Sequence, residues 1–202
     1  MAGRQIRDPN APDRIVEAAG RVVATRGVHG ATIRAIAAEA GVSTGYLTHY
    51  FEDKHALMVR LLDHTNAGSA RRVQAASAQG DAITRLRATV DAMLPLDPTR
   101  RREWEVWVAM WGIASPADEL GKGFRAGWAG LRQIFAELLR QAGAEGGLRE
   151  GVDIEYEAAR LVTMLAGIGL MAGVESRRRV REAAARMVDE QVSGLRDVVR
   201  AA

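Results

Sequence analysis

The chain has 202 residues, 48% of them apolar, with 28 Lys and Arg against 25 Asp and Glu for a formal net charge of +3. That length can bury a sizeable core in one or two domains, and the small positive excess permits a polyanionic partner without requiring one. Cysteine is absent, which excludes disulfides, thiolate chemistry and cysteine metal sites.

β-branched and aromatic runs with period-two alternation are scarce, so an all-α fold is expected. The longest apolar run, Leu161 to Val174, falls short of the roughly 18–20 residues that cross a bilayer. No apolar secretory core stands at the N-terminus, so the expectation is a soluble, cytoplasmic protein without a membrane partner.

Residues 1–11 are polar, carry Arg4 and Arg7, and read as a loose arm. Pro12 suits a first helical turn, where its missing N–H costs nothing. Ile15, Ala18, Ala19, Val22 and Val23 then keep helical spacing until Gly27. Thr32 is the expected cap of a second helix, with Ile33, Ile36, Ala37 and Ala40 on one face. Gly41 supplies a left-handed stop, Ser43 caps a very short third helix, and Asp53 caps a fourth with Leu57, Met58, Leu61 and Leu62 inward. Beyond about residue 66 longer helices are expected near 81–94, 100–114, 117–142, 153–175 and 178–200. Gly80, the stretch Pro95 to Pro98, Pro116 and "GAEGGLREG" separate them. The expected division is a helix-turn-helix domain over 1–64, including the arm, and a second helical domain over 65–202.

The stretch "GVSTGYLTHYFEDK" is specified more closely than a two-turn helix needs for packing. Leu47 and Phe51 share one face, with Tyr50 beside them, while Gly45, Tyr46, Thr48 and His49 point away and Thr44 sits at the flank. So short a helix persists only if its neighbours hold it. Helix, glycine turn and short helix make a helix-turn-helix whose second helix can enter a DNA major groove. Thr44, Thr48 and His49 can hydrogen-bond base edges or phosphates, Tyr46 can touch a thymine methyl, and Gly45 lets backbone and DNA approach. Lys54 opens the next helix, where a phosphate can also meet its N–H groups. A small helical hairpin with a solvated face is the plainer alternative on spacing alone.

The run "ATIRAIAAEAGVSTGYLTHYFEDKHAL" resembles the N-terminal domain of TetR-family transcriptional regulators over about residues 12–62. The Ala-Gly-Val-Ser turn, the aromatic pair ending the short helix and the Lys opening the next all occur in register. The "Ser-Thr-Gly" start and "Thr-His-Tyr-Phe" end resemble the BetI-type branch in particular, as does "EWEVWVAMW" more loosely. The resemblance implies that Thr32, Tyr50 and Lys54 hold phosphates. It implies that Thr44, Gly45, Tyr46, Thr48 and His49 form the recognition surface, with Ser43 among the DNA-binding residues and Arg34 near enough to reach a base or phosphate. Thr48 stands where the family usually has Tyr, so the operator sequence does not follow from the resemblance. It further implies a homodimer on a double-stranded palindromic operator, repression as the default, and a small effector bound in the second domain.

In that second domain Trp104, Trp107 and Trp111 recur at i, i+3 and i+7 around Met110, with Phe124 and Trp128 on the next helix. Such a cluster can cage a cation through its ring faces, with Glu103, Glu105, Asp118 or Glu119 adding negative charge. Filling a core or an interface is the weightier alternative. A cationic or hydrophobic effector is expected, choline-like if the branch resemblance holds. "LVTMLAGIGLMAGV" is apolar on every side, which predicts burial all round, and with the final helix it suits a dimer seam built as a four-helix bundle. All four histidines (His29, His49, His55 and His64) lie in the first part, so neither an enzyme nor a metal or cofactor site is expected. "GKGFRAG" lacks the strand and spacing of a phosphate loop. A DNA-binding regulator controlled by a protein partner, without a small ligand, stays open on sequence.

Overall fold

A computed structural model describes residues 10–196 and, among them, holds nine helices and no strand. The arm at 1–9 and the end of the last helix lie outside the described residues. The order is α1 Ala11–Gly30, α2 Ile33–Ala40, α3 Thr44–Tyr50, α4 Lys54–Ala76, α5 Ala82–Met93, α6 Pro98–Trp111, α7 Glu119–Ala144, α8 Ile154–Ala172 and α9 Arg177–Ser193.

Local chemistry sets most starts. Thr32, Ser43, Asp53, Asp81, Asp97, Asp118, Asp153 and Ser176 each accept a hydrogen bond from a backbone N–H three residues on, satisfying a donor that the first turn leaves orphaned. Two of these caps move the expected starts by two residues, and the other three in the second part by one. Asp97 starts α6 at Pro98 rather than at 100, because proline belongs to that first turn instead of breaking it. Asp118 starts α7 at Glu119 rather than 117. Inside α1, Gly27 leaves helical geometry at φ +66°, and one further turn follows before Gly30.

The helices α1 to α3 and the first turns of α4 share the buried residues Ile15, Val22, Ile36, Leu47, Phe51 and Leu57. The rest of α4 packs against α5, α6 and α7, so one unbroken helix crosses the expected division at residue 64. At about 1.5 Å per residue it spans roughly 34 Å. A second link is direct, for α6 packs on α1.

The body closes as α7 packs on α5 and α8, and α8 on α9. Within the single chain, cover for α8 is incomplete. The apolar α8 is buried on one face only, through Leu161, Leu165, Ile168 and Ala172. Leu170, Met171 and, just beyond the helix, Val174 are exposed, the last at 88%. No helix is long and apolar enough to cross a membrane among the described residues.

Candidate DNA-reading surface and effector cavity

The short α3 is held by one deep anchor and two ends. Leu47 is fully buried, Phe51 closes the helix as a buried C-cap, and the Ser43 hydroxyl oxygen accepts from Tyr46 N at 3.1 Å. At the turn before it Gly41 takes φ +68°, a left-handed position where a Cβ is strained.

With those anchors in place, Thr32, Arg34, Ser43, Thr44, Gly45, Thr48 and His49 are exposed together, while Tyr46, Tyr50 and Lys54 are half-buried. The cap oxygens of Thr32 and Ser43 accept from the backbone, which leaves each hydroxyl hydrogen to donate outward. Thr48 donates to Gly45 O at 3.2 Å, so its oxygen lone pairs remain available as acceptors. Tyr50 is clamped edge-on between Tyr46 and His49, both 5.3 Å away by ring centroid. The face is polar, convex and narrow, as a groove-reading helix has to be.

Two residues have surroundings that bear on their roles. Lys54 is turned inward, its ammonium donating to the Val28 carbonyl oxygen at 2.6 Å in the turn after the Gly27 break. It therefore ties the end of α1 to the start of α4, and two of its three donors remain for a phosphate. Gly45 has nothing within 4 Å of where a Cβ would lie, and its φ is not positive. Nothing among the described residues requires glycine there.

The body holds a cavity of about 240 Å³ between α4, α5, α6 and α7. Trp107, Phe124 and Trp128 line it; Trp104, Met110 and Trp111 do not. Trp104 and Met110 are buried in the core instead. The Trp104 ring lies 5.1 Å from Trp107, 6.2 Å from Trp111 and 6.1 Å from Trp128 by centroid, and its Nε1 donates to Met93 O at 2.7 Å. The indole stripe thus divides, one part filling core and the other walling the cavity.

Sequence reasoning did not single out the remaining lining residues. Asn66, Ser69 and Ala70 come from α4, and Gly127, Gly130 and Ile134 from α7. Apart from Ile134, their common signal is small or short side chains recurring at helical spacing on two facing helices. The "GKGFRAG" run belongs to α7, and of its glycines Gly127 lines the cavity while Gly121 packs on Ser115 and Gly123 on Leu62.

The four candidate counter-charges are engaged elsewhere. Glu103 makes a two-armed ion pair with Arg72 of α4, and Glu105 meets Arg101 at 3.3 Å. Glu119 pairs with Lys122 at 2.7 Å. Asp118 caps α7, and the backbone N–H groups of Gly121 and Ser115 hold its carboxyl below the ordinary carboxylate range.

A capped, scaffolded reading helix joined through a shared helix to a hollow helical body defines a helix-turn-helix transcriptional regulator. Residues 15–61 match the family model for bacterial regulatory proteins of the tetR family, and residues 82–197 match that for the BetI-type transcriptional repressor C-terminal domain. The chain belongs to the TetR family, with a BetI-type C-terminal domain, and is a DNA-binding transcriptional regulator rather than an enzyme.

It is 27% identical over 196 residues to the HTH-type transcriptional regulator PksA of Bacillus subtilis, covering 95% of this chain and 93% of that one. It is 28% identical over 153 residues to BetI of Escherichia coli, covering 74% and 76%. A transcriptional regulator from Rhodococcus sp. Rha1 superposes with a TM-score of 0.81 at 28% identity, covering 93% of this chain and 98% of that one. A regulator from Saccharomonospora viridis, crystallised in complex with choline, gives 0.80 at 26%, covering 90% and 97%.

Proposed function

We propose that the protein is a repressor that binds a palindromic operator as a homodimer and releases it when a small molecule fills the body cavity. The observation that carries the DNA half is the exposed face of α3, polar side chains outward around a single buried leucine. Thr44, Gly45, Tyr46, Thr48 and His49 read the groove. Thr32, Ser43, Tyr50 and Lys54 hold phosphates, with Arg34 beside them. The uncovered apolar face of α8 and Met187 of α9 supports pairing through the last two helices. The cavity, and a similar regulator crystallised with choline, support a small effector. Residues 1–64 act as the reading head and 65–202 as the sensing and pairing body, with α4 running through both.

Release follows from that linkage. A ligand gripped between α4, α6 and α7 changes how those helices pack, and α4 and α6 both reach the head. The preferred separation of two paired heads then shifts away from successive major grooves.

Footprinting upstream of the protein's own gene tests the proposal. An imperfect palindrome should be protected, with affinity falling steeply as salt rises; uniform protection without a dyad would overturn it. His49→Ala should narrow the affinity gap between operator and random DNA, whereas Lys54→Ala should weaken both alike. The second change also removes the tie to Val28, so its Tm should fall slightly.

Gly45→Ala separates stability from reading. Alanine gains about 0.5–1 kcal/mol within a helix and meets no neighbour here, so Tm should rise slightly. Operator affinity, measured by fluorescence anisotropy, should fall because the added methyl stands where DNA comes closest. Unchanged affinity would remove Gly45 from the interface.

A further inference from the structure

We infer that the cavity takes an uncharged, largely apolar molecule bearing one carbonyl or hydroxyl oxygen, and that it discriminates against quaternary ammonium compounds. The inference rests on the cavity being the effector site, as proposed above.

Charge decides the class first. Among the described residues no ionisable side chain lines the cavity, whose walls are apolar apart from Asn66, Ser69 and the Trp107 ring nitrogen. A cation entering it would shed its hydration with no carboxylate to replace it. Glu103, Glu105, Asp118 and Glu119 are held by Arg72, Arg101, the α7 backbone and Lys122. Turning Glu103 inward would strand the Arg72 guanidinium, whose Nε is already buried without a partner.

Much of the aromatic cluster also lies outside the cavity. Trp111 contacts Trp128 at 5.8 Å and Phe124 at 6.0 Å, with Trp104 against Trp128 at 6.1 Å. Trp104 and Trp111 thus pack behind the lining rings and offer no face to a ligand. Only Trp107, Trp128 and Phe124 border the cavity, as walls.

The polar end is specific. Trp107 Nε1 donates to Asn66 Oδ1 at 3.0 Å, which fixes the amide and leaves its Nδ2 as an unspent donor beside Gly127. One turn along α4, the Ser69 hydroxyl donates to the weakly accepting Met93 sulfur at 3.0 Å, so its oxygen can accept a stronger bond. A ligand oxygen can take the amide hydrogen, and if it is a hydroxyl it can donate to Ser69. Size follows from volume: a cavity of about 150 Å³ holds benzene, so about 240 Å³ suits roughly ten heavy atoms.

Choline and neohexyl alcohol, its uncharged carbon isostere, differ in little but charge, and tetralone adds bulk with one carbonyl. Calorimetry and thermal shift on the full chain should show neohexyl alcohol binding at least about tenfold tighter than choline, and tetralone tighter still. Gly130→Leu should abolish both without lowering Tm, because a Cβ at Gly130 meets nothing within 4 Å and the helix gains from losing glycine. Asn66→Leu should weaken tetralone while sparing the fold.

Choline binding as well as its isostere, or neither neutral probe binding, would overturn the inference. Operator anisotropy keeps the two readings apart. Neutral probes that bind, and are lost in Gly130→Leu, yet leave operator affinity unchanged would uphold the ligand class and reject the effector role.

Discussion

Gly169→Val should cost the body about 3 kcal/mol or more and lower Tm by roughly 6–12 °C, the upper reach of overpacking penalties in a protein of this size. A Cβ built on Gly169 would overlap the six-membered ring of Trp104. That indole is closely held. It is 1% exposed, its Nε1 is tied to Met93 O, and Trp107, Trp111 and Trp128 press on it. Because Trp104 sits on α6 and Gly169 on α8, the clash would push α6 away from α8 and disturb its packing on α1 as well. Gly143→Ala is the matched control, since its added methyl meets only Leu148 at 3.8 Å. It should leave Tm unchanged or raise it. Thermal melts followed by circular dichroism measure both, and a Gly169→Val protein melting with the parent would refute the account of this contact.

The same contact marks the limit of what the sequence discloses. Thr32, Ser43, Gly41 and Asp53 could be placed beforehand because a cap or left-handed turn is settled within about four residues. Leu47 was legible as an anchor because a two-turn helix has only one face to bury. Trp104, Trp107 and Trp111 were visible as a stripe, yet which of them borders space depends on how α6 is rotated against α4 and α7. Periodicity does not encode that rotation. The cavity was harder still, since Ala70, Gly127 and Gly130 make it by carrying a methyl group or no side chain at all. Lys54 was expected at a phosphate, but its bond to Val28 depends on a carbonyl in the turn after Gly27, far away in sequence.

Helix α8 brings sequence and structure together. A helix apolar on every side asks for cover all round, and in the single chain it receives cover on one side only. Tyr156, Leu170, Met171 and Val174 stay exposed, joined by Met187 of α9. Thr163 and Gly167 extend the exposed stripe between Tyr156 and Leu170, at spacings of three, four and seven that suit helix-on-helix packing. Arg178, Arg179 and Arg186 supply a charged surround on α9.

A two-fold axis through that patch would set each residue near its own copy, so one acidic substitution brings two like charges together. Leu170→Glu with Val174→Glu should therefore give a monomer by analytical ultracentrifugation. Neither side chain belongs to the core, so the helical spectrum should survive. The monomer keeps one intact reading head and loses the linkage between two. Its affinity for the full palindrome should drop about 10²- to 10⁴-fold, while binding to an isolated half-site stays near the parent value. Half-site binding falling as far as palindrome binding would mean that the head itself was damaged. A dimer that persists, with operator affinity intact, would show that the pair is held by some other face, and the exposed stripe on α8 would then need a different partner.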